Sequence, residues 1–147
     1  QLKYRYIRGV DLKDWELLAS TFTPDATSGY DGGKNAYEGR DAIVDWLRDA
    51  MEGNLITQHQ VHHPEIEITG PDSARGTWYL EDRVINRGEA APEMPARSIL
   101  TGAAYYADEY RKEGGEWKIS RTGYERTYFD LRPYDEPTAF YSRWEAD

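Results

Sequence analysis

The stretch "HHPEIEITGPDSARGTWYLEDRVI", residues 62–85, carries the pattern that decides the fold. Apolar and polar residues alternate on both sides of Gly70-Pro71-Asp72, a combination typical of a turn. Successive side chains of a β-strand point to opposite faces of a sheet. The alternation therefore predicts two antiparallel strands joined at this turn.

Two more alternating segments follow this hairpin, and two helical segments precede it. Residues 97–112 and 116–129 predict a third and a fourth strand, with Gly114-Gly115 as the turn between them. Residues 12–22 and 40–51 have apolar residues at helical spacing, and Asp14 is the expected N-cap of the first helix. The Gly- and Asp-rich residues 23–39 predict a loop with at most a short strand.

The order of these elements, helices first and then a meander of long strands, predicts an α+β fold. In such a fold the helices pack on one face of an antiparallel sheet. We expect a single domain over residues 1–147, because no linker, repeat or low-complexity segment interrupts the chain. A long curved sheet covered by helices forms a cone with an inner pocket, which is a usual place for a small ligand.

Charge and composition exclude several classes of function. The net charge of −9 argues against nucleic acid and against anionic membrane surfaces as partners. The chain has no cysteine, which excludes disulfides, thiolate metal sites and cysteine nucleophiles. A protein without cysteine is compatible with a reducing compartment, and we expect it to be cytoplasmic.

Two charged residues fall on the inward face if the alternation holds. Asp82 is in step with Trp78 and Leu80, and Arg121 is in step with Ile119. A carboxylate or a guanidinium on an apolar face is costly unless it is paired or hydrogen-bonded. Asp82 is either an inward carboxylate that orients a histidine or a strand-end residue in solvent. Arg121 either pairs within the core or holds a substrate oxygen.

All three histidines of the chain, His59, His62 and His63, lie just before or within the first long strand. Neighbouring strand residues point to opposite faces, so His62 and His63 are a poor pair for one metal ion. Alternation favours His62 as the inward histidine, because it is in step with Ile66 and Ile68. Residues 57–61 need not be regular strand, however, which leaves His59 open.

Several motifs of the chain resemble the SnoaL-like branch of the NTF2-like superfamily, and the resemblance covers nearly the whole chain. Within that branch the opening "YRYIRGVDLKDWELL", residues 4–18, is similar to the bile acid 7α-dehydratases, with the scytalone dehydratases more distant. The other motifs that carry the resemblance are "LLASTFTPDA" (17–26), "YEGRDAIVDWL" (37–47), "HHPEIEITGPDSARGTWYLED" (62–82) and "GGEWKISRTGYERTY" (114–128).

The resemblance implies a cone-shaped α+β barrel and a set of site residues. Matched by motif, the catalytic residues would be Tyr6, Asp11, His59, Asp82 and Arg121. On this reading His59 replaces His62 as the catalytic histidine, and Arg126 competes with Arg121 as the pocket arginine. Taken alone, Asp11 would be a capping or solvated residue and Tyr6 a core residue.

The resemblance also implies an activity. We expect a dehydratase-like lyase without a cofactor or a metal, acting on a small hydrophobic hydroxy-carbonyl compound. His59 would act as base and then as acid, with Asp11 or Asp82 holding its other ring nitrogen and Tyr6, with Tyr30, donating to an oxygen. A ketosteroid-type isomerase and a non-catalytic subunit, like the β-subunits of ring-hydroxylating dioxygenases, are the alternatives.

The expected assembly is a homo-oligomer. The family favours a trimer, with a dimer next, and outward tyrosines such as Tyr79 and Tyr105 suggest the contact surface.

Overall fold

The computed structural model describes residues 1–91, 94–135 and 137–142. In chain order the elements are α1 (Leu2–Leu12), α2 (Trp15–Ser20), β1 (Phe22–Tyr30), β2 (Asn35–Glu38), α3 (Arg40–Met51), β3 (Leu55–Gly70), β4 (Ser73–Asn86), β5 (Ser98–Glu113) and β6 (Glu116–Pro133).

The strands form one six-stranded sheet in the order β2-β1-β6-β5-β4-β3. Strands β3 to β6 are an antiparallel meander, as the alternation predicts. Strand β1 pairs with β6 in parallel and with β2 antiparallel, so the sheet is mixed. The α+β class is confirmed, and the curved sheet does not close into a complete barrel.

The segment of residues 23–39 is a pair of strands, which corrects the predicted loop. Strand β1 is bonded on both sides, to β2 and to β6. Pairing with a strand about ninety residues away in sequence stabilises an extended conformation that its own Asp, Gly and Ser content disfavours.

The predicted first helix, residues 12–22, corresponds to α2, and a further helix, α1, precedes it; the chain turns between the two at Lys13. This residue takes a left-handed conformation, with φ of 58°, and ends α1. Asp14 caps α2 as predicted, since its Oδ1 accepts a hydrogen bond from the Leu17 backbone N–H at 2.9 Å. The two helices approach closely at Gly9, where a Cβ would lie 2.9 Å from the Leu18 nitrogen.

β-Bulges in β3 and β6 change which residues face inward. In β3 the register shifts between His62 and Glu65, and His63 has a φ of 43°. In β6 the register shifts between Ile119, which pairs with Tyr110 of β5, and Arg121, which pairs with Glu109. Each bulge adds one residue, so side chains on its two sides no longer share a single alternation.

The core lies between the inner face of the sheet and the three helices. Its fully buried residues include Leu18, Ile43, Leu80 and Ile119. A smaller apolar cluster of Leu55, Val84 and Met94 lies further along the same face. None of the helices in the described ranges is long and apolar enough to cross a membrane.

Candidate active site

A cavity of about 590 Å³ opens on the inner face of the sheet, between α1, α3 and strands β3 to β6. Such a volume is typical of small-molecule sites. Polar side chains meet in it from separate elements: Tyr6 of α1, Tyr30 at the end of β1, His59 of β3, Asp82 of β4 and Arg126 of β6.

His59 and Asp11 form a short polar contact at this cavity. The His59 Nδ1 lies 2.6 Å from the Asp11 Oδ1, and the His59 backbone N–H donates to the Asp11 Oδ2 at 2.9 Å. The Thr57 hydroxyl also donates to the Asp11 Oδ1, at 2.9 Å. A carboxylate beside Nδ1 favours the tautomer with the proton there, which leaves Nε2 unprotonated. The histidine side chain is 9% exposed and lines the cavity.

Lys13 extends this chain of hydrogen bonds away from the cavity. Its Nζ donates to the Thr57 hydroxyl at 2.9 Å. Burial lowers the pKa of Lys13 to about 8, and the charges of Asp11 and Glu52 only partly oppose that shift. Lys13, Thr57, Asp11 and His59 are thus linked in series. Sequence reasoning missed Thr57, although it shares the inward parity of His59 on β3.

Tyr6 and Tyr30 place two hydroxyl groups at the cavity wall. Their oxygens lie 3.0 Å apart, and both residues are 1% exposed. Burial is the main cause that raises the pKa of each phenol well above its usual value, so both are neutral donors at physiological pH. Trp46 of α3 stacks on the Tyr30 ring at a centroid distance of 5.0 Å and holds it in place.

Asp82 points inward and is bound by Arg126. The residue is 4% exposed, and its two carboxylate oxygens accept from Nη1 and Nη2 of Arg126 at 2.8 and 2.7 Å. Burial lowers the pKa of Arg126, but the hydrogen bonds and charge of Asp82 raise it above the usual arginine value. The His59 ring therefore hydrogen-bonds to Asp11, whereas both oxygens of Asp82 accept from Arg126.

The prediction that Arg121 points inward is wrong. Its side chain is 67% exposed and lies 3.7 Å from Glu109 on the outer face. The bulge between Ile119 and Arg121 reverses the alternation, so that Thr122 and Arg126 take the inward positions. Arg126 is the arginine of the cavity.

His62 is likewise on the outer face, because the β3 bulge separates its parity from that of Ile66 and Ile68. Its ring lies 6.1 Å from the ring of Tyr79, an outward residue of β4. His59 pairs with Asp82 across β3 and β4, and Ile66 pairs with Gly76, so His59 and Ile66 share the inner face. The resemblance selected the cavity histidine where alternation alone did not.

No group of three or more potential metal ligands occurs in the part of the chain that the structure describes. The chemistry available at the cavity is thus that of an imidazole, a buried ion pair and several phenols. Tyr106 and Tyr124 add two further aromatic residues to its wall. The inward parity of Tyr106 on β5, in step with Ala104 and Asp108, could have revealed it from the sequence.

The fold and the site define the class of NTF2-like α+β cones with an interior pocket. Residues 1–123 match the model of the SnoaL-like domain, and the chain belongs to that family.

Solved structures agree with the fold. A type 2 LinA hexachlorocyclohexane dehydrochlorinase is 21% identical, with a TM-score of 0.72, over 94% of this chain and 90% of that one. A protein of Novosphingobium aromaticivorans named after scytalone dehydratase is 20% identical, also with a TM-score of 0.72, over 99% and 91%. The ActVI-ORFA protein of Streptomyces coelicolor is 18% identical, with a TM-score of 0.69, over 86% and 92%.

Proposed function

We propose that this protein is a cofactor-independent lyase that eliminates water from a hydrophobic hydroxy-carbonyl compound by acid–base catalysis. The observation that carries the proposal is the His59–Asp11 pair at the wall of an aromatic-lined cavity. An imidazole whose tautomer is held by a carboxylate is suited to take and return a proton near neutral pH.

The first step is removal of a proton from the carbon next to the substrate carbonyl. His59 Nε2 accepts that proton, and the electron pair of the C–H bond forms an enolate. The Tyr6 and Tyr30 hydroxyls, 3.0 Å apart, donate to the enolate oxygen. Asp11 stabilises the imidazolium that forms.

In the second step the enolate collapses to a carbon–carbon double bond, and the hydroxyl on the next carbon departs. His59 returns its proton to this hydroxyl, which leaves as water. The enzyme is restored, and no oxidant or reductant is consumed. General acid–base action of this kind contributes roughly 10²–10⁴-fold to the rate.

Names of the structural relatives support elimination as the reaction class. A dehydratase and a dehydrochlorinase both occur among them. The isomerase alternative uses a carboxylate as base, but Asp82, the buried carboxylate of the lining, is bound at both oxygens by Arg126. The non-catalytic alternative expects a filled pocket and an exposed His59, whereas the cavity measures about 590 Å³ and the histidine is 9% exposed.

The test uses a panel of bicyclic β-hydroxy ketones, with the product followed by its conjugated absorbance and its mass. We expect loss of 18 Da in the product mass, as for one molecule of water. His59→Ala should lower kcat by roughly 10²–10⁴-fold. His62→Ala is the matched control, since this histidine lies on the outer face, and its kcat should be unchanged.

Full activity in His59→Ala would reject the assignment of the base. A product of unchanged mass with a migrated double bond would establish the isomerase instead.

A further inference from the structure

The buried ion pair of Asp82 and Arg126 crosses the middle of the cavity wall, spanning three strands. Asp82 lies on β4, Arg126 on β6, and Gly102 of β5 lies between them. A Cβ at Gly102 would meet the Arg126 Nη1 at 2.6 Å, so the guanidinium passes over the glycine to reach the carboxylate. The missing side chain is what permits the bidentate contact.

This pair removes the positive charge that Arg126 would otherwise offer to a ligand. Both oxygens of Asp82 are used, at 2.8 and 2.7 Å, and the two side chains are 2% and 15% exposed. A bidentate carboxylate–guanidinium contact away from water is a strong, oriented interaction. An organic anion at this place would have to compete with Asp82 and would be repelled by it.

The other charged groups at the cavity add to this effect. Lys34 is paired with Asp31 at 2.6 Å, and Asp49 contributes a further carboxylate. Among the described lining residues, three carboxylates therefore face two cations, and His59 is already held by Asp11. Every described cation of the lining has a carboxylate partner, so none of them offers an uncompensated positive charge to an organic anion.

The remainder of the lining favours rings over charges. One part is aromatic, with Tyr6, Tyr30 and Tyr106, and another is aliphatic, with Leu55, Val84 and Leu100. Apolar surface of this kind gains from burying a ring and gives a carboxylate no compensation for its lost water.

We propose that the cavity selects uncharged ring compounds, and that Asp82 is the residue that enforces the selection by neutralising Arg126. This inference rests on the proposed function only in taking the cavity as the substrate site. It assigns Asp82 a role in specificity, and it names the substrate class as neutral hydroxy-carbonyl compounds without a free carboxylate.

The experiment measures binding of three probes of similar shape by calorimetry and tryptophan fluorescence: 2-naphthamide, 2-naphthoate and 2-naphthylmethylammonium. For the protein with its own residues, we expect 2-naphthamide to bind at least ~10-fold more tightly than 2-naphthoate, since a buried like charge is strongly disfavoured. Asp82→Asn frees Arg126, and 2-naphthoate should then gain ~10-fold or more and reverse the preference.

Matched variants separate this effect from a change in overall charge. Glu109→Gln also removes a carboxylate facing an arginine, Arg121, but on the outer face, and it should leave the preference unchanged. Arg126→Gln keeps Asp82 without its partner and should weaken 2-naphthoate binding further. The double variant Asp82→Asn/Arg126→Gln should gain nothing for the anion. Arg126→Gln also tests the proposal if Asp82→Asn fails to fold.

The proposal is overturned if the protein binds 2-naphthoate or 2-naphthylmethylammonium as tightly as 2-naphthamide or more tightly, or if it binds none of the probes. It is also overturned if Asp82→Asn leaves the preference for the amide unaltered and Arg126→Gln does not strengthen it. Because the readout is binding, it is independent of turnover. If no ketone is dehydrated but the charge preference is found, the elimination reaction fails while the assignment of Asp82 stands.

Discussion

At the scale of single residues, the site depends on how Asp11 holds His59. Asp11 lies in the last turn of helix α1, and an aspartate taken alone is expected to be a cap or to be solvated. It instead accepts three hydrogen bonds: from the His59 ring, the His59 backbone and the Thr57 hydroxyl. The Asp11 carboxyl group thus accepts from three donors, two at Oδ1 and one at Oδ2.

Asp11→Asn tests this role. An amide offers one oxygen and places its NH₂ against a donor, so the imidazole is pushed toward the tautomer with the proton on Nε2. We expect kcat to fall by roughly 10²–10⁴-fold with KM little changed. Steady-state kinetics on a substrate found in the ketone panel measures the effect.

The matched control is Asp14→Asn, the same substitution three residues later. Asn caps a helix about as well as Asp, so the α2 cap and the activity should both be retained. An Asp11→Asn enzyme with unchanged kcat would show that the carboxylate does not set the histidine tautomer.

At the scale of elements, the β-bulges after His62 in β3 and after Ile119 in β6 decide which of the predicted side chains reach the cavity. Alternation from Trp117 and Ile119 predicts an inward Arg121, and the bulge after Ile119 brings Arg126 inward instead. Alternation from Ile66 predicts an inward His62, and the bulge at His63 brings His59 inward. Neither bulge contains a glycine, a common sequence sign of such a site. Pro64 was a signal for the β3 bulge, because proline within a strand is confined to edges, strand starts and bulges, but the β6 bulge had no such residue.

Helix α1, which carries Tyr6 and Asp11, is fixed to the sheet by a buried ion pair. The Lys3 Nζ lies 2.9 Å from Asp108 on β5, and both side chains are fully buried. The same ammonium lies 3.3 Å from the ring centroid of Tyr106. Asp108 also accepts from the hydroxyls of Thr122 and Tyr110, so its oxygens are fully used.

Lys3→Met should destabilise the fold, because it leaves Asp108 as a buried charge without its cation. We expect the free energy of unfolding to fall by about 3–5 kcal/mol. Urea denaturation followed by circular dichroism measures it. Lys34→Met is the control: this lysine pairs with Asp31 but is 76% exposed, and its loss should change the same quantity by less than about 1 kcal/mol. Equal effects of the two variants would contradict this account.

At the scale of the whole molecule, the fold buries tyrosines, and most of those described as buried line the cavity. Burial is the main cause that raises the pKa values of Tyr6, Tyr30, Tyr106 and Tyr110. In the unfolded chain these phenols ionise near their ordinary pKa of about 10, whereas in the folded chain they keep their protons above it. The folded state therefore binds more protons above pH 10, and stability falls as pH rises from there.

We accordingly expect cooperative alkaline unfolding above about pH 10. The buried tyrosines should ionise only as the fold is lost. Absorbance at about 295 nm, recorded together with far-ultraviolet circular dichroism, should show a rise that coincides with unfolding. Lys13 has the opposite effect. Its pKa is about 8 in the folded chain against an ordinary 10.5, so its deprotonation makes the free energy of unfolding rise with pH between those two values. A free energy of unfolding that stays flat between about pH 10 and 12 would be the contrary result.

The outer face of the sheet carries the tyrosines expected at a subunit contact. Tyr79 and Tyr105 do point outward, with ring centroids 5.2 Å apart, and Tyr105 is 51% exposed. A homotrimer stays a prediction, which the molar mass in solution would decide.

The sequence alone determined the elements whose signal is local. Helical spacing predicted α3, alternation predicted the four long strands and the inward Asp82, and the capping preference predicted Asp14. The helix and the strands follow from the periodicity of the chain, and the cap follows from a residue preference at the helix start. Both depend on residues close together in sequence, so distant contacts are not needed to predict them.

Only the tertiary structure decided how distant residues pair. The parallel contact of β1 with β6, the bulges, the Asp82–Arg126 pair over Gly102 and the Lys3–Asp108 pair all join segments far apart along the chain. Their stability comes from mutual burial and charge compensation, which exist only once the chain has folded. Residue pattern nominated Asp82, and the family resemblance nominated Asp11 and His59, but neither indicated which acid would hold the histidine and which would hold the arginine.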